Sequence, residues 1–492
     1  MSVAAHLRSR IPLTDEQSLI ATEAMSLNHG NLKVAAGAGT GKTATSVAIA
    51  ENRHRTGSRI LYLAYNKAIA NEAKSKFRGS AHVYTVHGIA FRGVGVRYLN
   101  RRLGSLYPSH VSQVLNLSGR DLPGSRSQAA QHILQAMTNF LYSPDEVITE
   151  KHLPYPLRRS KDEQQKQFIA ELANEFFMRV APDSNSALPL PHDVYLKYWH
   201  LIGSPGLEEY DLVLMDEAQD SNGVTIEALA SCPAVTWVGD SHQQIYAFRG
   251  ALDAMSHVKG LELPLTQSFR YGEATAELAN RILSGKQKPP RYRLRGLATR
   301  HTEIGSISPR EAHTRLYRTN VELLRDAMHF TDKGEKIAIV GDQSDLKAKI
   351  ESAWRLRRGE RKGIRHPLIA MFSSWKALEE YAEDAYDQEI NQVLQVIDEY
   401  DGRLDEVIRL IGDRQSEGSA KVILTTAHRA KGREWPNVVL SSDFDNVFYG
   451  ERKLKRHEKD AELNLLYVAV TRATDRLDSR SEYVNSIANL NK

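Results

Sequence analysis

One cysteine, Cys232, stands in 492 residues, so the chain can form no intrachain disulfide, cysteine cluster or cysteine-rich zinc site. Long apolar runs are missing too. None approaches the roughly 20 residues needed to cross a bilayer. The opening Met1-Ser2-Val3-Ala4-Ala5-His6-Leu7-Arg8 lacks the apolar stretch of a secretory leader. The expectation is a soluble, reduced, intracellular protein with no membrane partner. Charge of one sign is scarce as well: 65 Lys and Arg against 60 Asp and Glu leave a formal +5. That balance permits a polyanionic partner without demanding one. No internal repeat or long low-complexity tail is present.

What is present is length. Single cores stop growing at about 250–300 residues, so 492 residues imply two to four domains. Short apolar segments alternate with helical patterns from Leu13 to about Phe77: Leu32–Ala36, Arg59–Ala64 and Val83–Val86 read as strands, and Ala68–Phe77 as a helix. Strand character returns at Asp211–Met215 and Ala234–Val238, then at Arg315–Tyr317, Ile337–Val340, Val422–Leu424 and Val438–Leu440. Such alternation implies an α/β chain with parallel sheets. Residues 92–197 and 344–418 are more polar, with helical spacing. We therefore expect a first α/β domain over residues 1–91 and 198–262 with a helical insertion at 92–197. A second covers 263–343 and 419–492, with a shorter insertion at 344–418.

Between a strand and a helix lies Ala36-Gly37-Ala38-Gly39-Thr40-Gly41-Lys42-Thr43. Small residues there let backbone N–H groups converge on phosphates, and a helix N-terminus adds positive potential. Lys42 is placed to reach the β- and γ-phosphates of ATP, and the Thr43 hydroxyl to bind Mg²⁺. A second apolar strand ends in Asp216-Glu217-Ala218-Gln219-Asp220. Strand C-terminal ends carry the ligands of doubly wound sheets. Asp216 is assigned to the metal and Glu217 to the attacking water. Asp216 taken alone also fits a helix N-cap; the phosphate loop tips the balance.

Further strings resemble, in order, the motifs of UvrD/Rep-like helicases of superfamily 1. They are Leu13-Thr14-Asp15-Glu16-Gln17, Asn66-Lys67-Ala68, Thr85-Val86-His87 and Val238-Gly239-Asp240-Ser241-His242-Gln243-Gln244-Ile245-Tyr246-Ala247-Phe248-Arg249-Gly250-Ala251. Next come Leu265-Thr266-Gln267-Ser268-Phe269-Arg270, Thr425-Thr426-Ala427-His428-Arg429-Ala430-Lys431-Gly432-Arg433-Glu434-Trp435 and Asn464-Leu465-Leu466-Tyr467-Val468-Ala469-Val470-Thr471-Arg472-Ala473. The details lean toward the helicase part of the F-box DNA helicases, and no F-box-like segment is expected. Ala36 and Arg433 are departures from the general pattern; relatives usually carry leucine at the latter, which puts packing there in question.

This resemblance implies two RecA-like P-loop domains, ATP and Mg²⁺ as cofactors, and DNA-dependent ATP hydrolysis. Gln17 would read adenine and Phe269 stack on it. Gln243 and Arg270 would sense the γ-phosphate, Arg472 would act as an arginine finger, and Glu434 would approach the ribose. For single-stranded DNA, Tyr65, Tyr246 and Phe248 would stack on bases. Asn66, Lys67, Thr85, His87, Arg249, Thr426 and His428 would contact the strand. For Tyr246, Phe248 and the two histidines, ordinary packing competes with these roles. A basic cluster, Arg355, Arg357, Arg358, Arg361, Lys362 and Arg365, reads equally as a phosphate clamp or a solvated face.

The implied activity is 3′→5′ translocation on single-stranded DNA or at junctions, with unwinding or displacement of bound proteins. The short second insertion makes unwinding the less secure of the two. Recombination, repair or defence, with a protein partner, would be the setting. The place would be the cytoplasm (nucleoid) of a bacterial or phage-infected cell, or the nucleus of a eukaryote. A nucleotide-gated DNA-binding scaffold with little motor activity is the alternative.

Overall fold

A computed structural model describes residues 12–122, 125–184, 186–246, 251–384, 387–412, 416–450 and 454–489. The chain divides after Thr266 into two compact units.

The first unit is built on six parallel strands: β1 (Gly30–Ala36), β2 (Ile60–Ala64), β3 (His82–Thr85), β4 (Leu212–Met215), β5 (Ala234–Gly239) and β6 (Leu261–Leu265). Their order is β3-β2-β4-β5-β1-β6. Every residue of β2, β4 and β5 is buried, as expected where helices cover both faces of a parallel sheet. Helices α1 (Asp15–Ser26), α2 (Lys42–Arg55) and α3 (Lys67–Phe77) supply part of that cover, and Ile20, Ala24, Ile49 and Phe77 share one core with Val34, Tyr62 and Leu214. Pro264 sits in β6, an edge strand, where a missing N–H is tolerated. Because β6 pairs with β1, the first unit runs past the residue 262 expected from sequence.

Between β3 and β4 comes the first insertion. It follows helix α4 (Val86–Val94) with helices at Pro108–Val114, Arg126–Tyr142, Glu163–Val180 and His192–Leu201. Buried Ile133, Met137, Phe140, Ile169, Phe176 and Phe177 line facing sides of its two long helices. The helical spacing read from sequence is the physical cause.

The second unit holds β7 (Glu303–Ile304), β8 (His313–Tyr317), β9 (Ile337–Ile339), β10 (Val422–Thr426), β11 (Trp435–Leu440) and β12 (Ala473–Ser479), all parallel, in the order β7-β12-β11-β8-β10-β9. Its insertion, between β9 and β10, contains helices Ser344–Arg357, Pro367–Ala370, Trp375–Asp384, Gln388–Tyr400 and Leu404–Gly412. Leu346, Ile350, Leu378, Val393 and Val407 from these helices join a single core with Tyr317, Ile337, Val422 and Leu424 of the strands. Both sheets have the parallel, helix-covered build of RecA-like domains.

Candidate functional site

The phosphate loop hangs between β1 and α2. Gly37 N donates to Leu265 O at 3.1 Å, and the Thr40 hydroxyl to Gly37 O at 2.8 Å, closing a tight turn. Gly41 caps α2 at φ +83°, a left-handed conformation that favours glycine. Ala36 and Ala38 are fully buried, so the departure at Ala36 leaves a well-packed loop.

Lys42, first residue of α2, points its Nζ to Glu217 Oε1 at 3.1 Å. Burial opposes its charge, but Glu217, Asp240 and Asp216 together hold the ammonium above its usual range. Asp216 follows β4 and is 4% exposed. Burial and then the Glu217 charge raise its carboxyl above the ordinary carboxylate range, and Lys42 partly offsets them. Both Asp216 oxygens have donors: Glu217 N reaches Oδ1 at 3.0 Å and the Tyr62 hydroxyl reaches Oδ2 at 2.5 Å. Glu217 itself sits at φ +50°, ψ +43°. A left-handed non-glycine residue costs roughly 1–2 kcal/mol, and such strain gathers at functional sites.

Two glutamines brace this cluster. Gln219, fully buried, donates to Glu217 Oε2 at 2.5 Å and accepts from Asp240 N at 2.9 Å. A Cβ on Gly239 would come within 2.6 Å of that glutamine's Oε1, so any larger residue there would push Gln219 from its place. Gln243 donates to Asp240 Oδ2 at 2.7 Å. Gln219, Asp240 and Tyr62 were missed by the sequence reading, although the first two lay inside its motifs. Tyr62 carried no signal beyond that of a core aromatic.

Gln17 is 3% exposed and serves a capping box: Thr14 N donates to its Oε1 at 3.0 Å, and its own N donates to Thr14 Oγ1 at 3.2 Å. The neighbouring Glu16 fastens α1 to the end of β6 through Thr266 N, 2.8 Å, and Thr266 Oγ1, 2.5 Å. The predicted adenine reader is thus held at a helix start that is itself pinned.

In the second unit, Arg270 Nε donates to Glu434 Oε2 at 2.6 Å. Its Nη1 reaches Thr471 O at 3.4 Å, beside Arg472. Phe269 is 42% exposed. Arg472, the arginine finger that the resemblance implies, is 1% exposed, and its guanidinium donates to Val468 O (2.8 Å), Arg433 O (3.0 Å) and Thr471 Oγ1 (3.0 Å). These acceptors come from helix Arg456–Val470, from Thr471 just past its end and from Arg433 ahead of β11, so the side chain ties parts of the second unit together. Arg433 is half-exposed and pairs with Glu417, which removes the packing question raised by its size.

Among the DNA candidates, Tyr65 and Tyr246 lie parallel, with ring centroids 6.3 Å apart and planes 11° apart. Lys67, which follows Tyr65 closely in sequence, is exposed. Asn66 and Thr85 are helix N-caps, accepting from Ile69 N and Gly88 N. His87 Nε2 is bonded to Asp193 at 2.9 Å, a structural tie that competes with a strand contact. Thr426 is buried and His428 half-buried. Phe248 and Arg249 lie outside the described residues. The basic cluster resolves mostly to internal partners: Arg357 pairs with Asp398 over Trp375, Arg358 with Glu360 over Trp354, and Arg361 donates to Phe372 O and Ser373 O. That favours the solvated face over the phosphate clamp.

Among the described residues, no group of three or more His, Cys, Asp or Glu side chains could hold a metal ion, and no helix is long and apolar enough to cross a membrane. One carboxylate and one hydroxyl beside a phosphate loop fit Mg²⁺, which takes few protein ligands and leans on substrate phosphates.

The chain is similar to known helicases. Residues 16–255 match the UvrD/REP helicase N-terminal domain, and residues 157–478 the UvrD-like helicase C-terminal domain. The chain is 32% identical to F-box DNA helicase protein 1 of Schizosaccharomyces pombe, and the match covers 94% of this chain and 57% of that one. It is 30% identical to F-box DNA helicase 1 of Gallus gallus, over 94% and 48% respectively. A 67-residue stretch is 43% identical to the ATP-dependent DNA helicase srs2 of Schizosaccharomyces pombe. The chain spans about half the length of the two F-box helicases it matches.

Proposed function

The chain belongs to the UvrD-like DNA helicases, and from that premise we propose that it is an ATP-driven translocase on single-stranded DNA, moving 3′→5′. One observation carries the reading: the partly buried Lys42–Glu217 pair at 3.1 Å, with buried Asp216 beside it at the end of β4. Lys42 would exchange its carboxylate partner for the terminal phosphates. Glu217 would then be free to orient the attacking water and accept its proton, with Gln219 holding its second oxygen. Gln243, through Asp240, would report the state of the γ-phosphate. Thr43 and Asp216 would hold Mg²⁺, which when bound neutralises charge on the phosphates. Hydrolysis would also need Arg270 and Arg472 of the second unit, the latter after giving up its local acceptors.

The parallel Tyr65 and Tyr246 rings suit stacking with unpaired bases, which is sequence-tolerant because every base has a π-face. Protein displacement and unwinding, at DNA junctions and in recombination, repair or defence, are the tasks this motor would serve. The nucleoid or the nucleus would be its place, according to the host. The scaffold reading, nucleotide binding with little turnover, draws on the satisfied guanidinium of Arg472.

The deciding experiment is the ATPase rate with and without single-stranded DNA, in wild type and Lys42→Ala. Strong stimulation that the variant abolishes is expected. A wild-type rate indifferent to DNA removes the motor and leaves the scaffold.

A further inference from the structure

Tyr62 lies in the middle of β2, fully buried, its ring tilted against Phe77 at 4.5 Å between centroids. In register it neighbours Val83 on one side and Leu214 on the other. The ring shares an apolar core with Ile60, Ala64, Ala70, Ala73 and Leu212. A phenylalanine would fill that space, so the hydroxyl has another reason to be there. It donates to Asp216 Oδ2 at 2.5 Å.

A hydroxyl carries one proton and two lone pairs, and an ionised carboxylate only accepts. The Tyr62 proton is therefore spent on Asp216. Asp216 is the carboxylate assigned to the metal, so the phenol ties that ligand to core packing.

We propose that Tyr62 is a positioning residue for the magnesium–nucleotide site, aiming the Asp216 carboxylate toward an incoming cation. Asp216 is held through both oxygens, by Tyr62 and by the Glu217 N–H, each keeping further lone pairs for metal-bound water. The inference rests on the nucleotide reading given above and adds a residue to it.

Tyr62→Phe keeps the ring and removes only the hydroxyl. The measurement is equilibrium binding of a fluorescent ADP analogue to the full chain, first in EDTA and then titrated with Mg²⁺, beside thermal unfolding of both proteins. Expected is an unchanged affinity in EDTA and a Mg²⁺ midpoint raised by about 10- to 100-fold, the usual cost of losing a residue that orients metal ligands. A merely structural role would lower the unfolding temperature and leave the Mg²⁺ midpoint of the folded protein where it was; that result overturns the proposal. Should the phenylalanine variant be less stable, the titration is repeated at a temperature where thermal unfolding shows it fully folded; an unshifted Mg²⁺ midpoint there again overturns the proposal. If wild type itself shows no Mg²⁺-dependent nucleotide binding, the nucleotide reading falls, a result distinct from a variant that matches wild type.

Discussion

Arg270 and Glu434, assigned by motif to the γ-phosphate and the ribose, are hydrogen-bonded to each other at 2.6 Å. A carboxylate on a guanidinium competes with phosphate for the same donors. Glu434 is half exposed, so the competition is modest and salt-screened.

Glu434→Ala is therefore expected to tighten ATP binding a few-fold at low ionic strength, the gain fading as salt is added. Equilibrium nucleotide binding across a salt series reads it. Weaker binding at every salt concentration would mean that the ribose contact outweighs the clamp.

Replacing Glu217 separates catalysis from backbone strain. Both Glu217→Ala and Glu217→Gly should abolish turnover, since each removes the group assigned to the attacking water. The glycine variant should be the more stable by about 1 kcal/mol, because only it adopts φ +50° without a Cβ clash. Denaturant unfolding of the pair decides; equal stabilities would show that the left-handed backbone carries no strain.

Tyr65→Ala should weaken single-stranded DNA binding by about 1–3 kcal/mol, the usual loss for a stacking platform, and leave DNA-free ATP hydrolysis intact. Fluorescence anisotropy with a labelled oligonucleotide measures the first and a colorimetric phosphate assay the second. Unaltered DNA affinity would leave Tyr65 and Tyr246 as a packing pair.

Lys197 offers a pH signature. Fully buried, its ammonium donates to the Ser143 and Asp145 carbonyls and lies 4.1 Å above the Phe140 ring. Burial lowers its pKa to about 8, against an ordinary 10.5. Between those values the unfolded chain binds the proton and the folded one does not, so stability rises with pH across that window. Wild type should gain stability relative to Lys197→Met as pH goes from 8 toward 10, at about 1.4 kcal/mol per unit at most. Parallel unfolding curves with a pH-independent difference would contradict it.

Much of the fold could be read from the chain because the parallel strands are short apolar runs bounded by turns. β6, β7 and β12 were not. β6 holds Glu262 and Pro264 at an edge, and β12 reads Ala473-Thr474-Asp475-Arg476-Leu477-Asp478-Ser479, too polar to announce a strand. At the site, the phosphate loop and the acids after β4 were legible because their chemistry requires particular residues in sequence. Tyr62 was not, since its partner Asp216 lies 154 residues away and only sheet pairing brings them together. The basic cluster misled for a related reason: Asp398 and Trp375, which neutralise and cover Arg357, are distant in sequence.

The core of the second insertion is continuous with that of the sheet, for its helices pack on Tyr317, Ile337, Val422 and Leu424. An engineer who excised residues 344–418 would expose a wet apolar wall and obtain a sticky, half-dressed sheet.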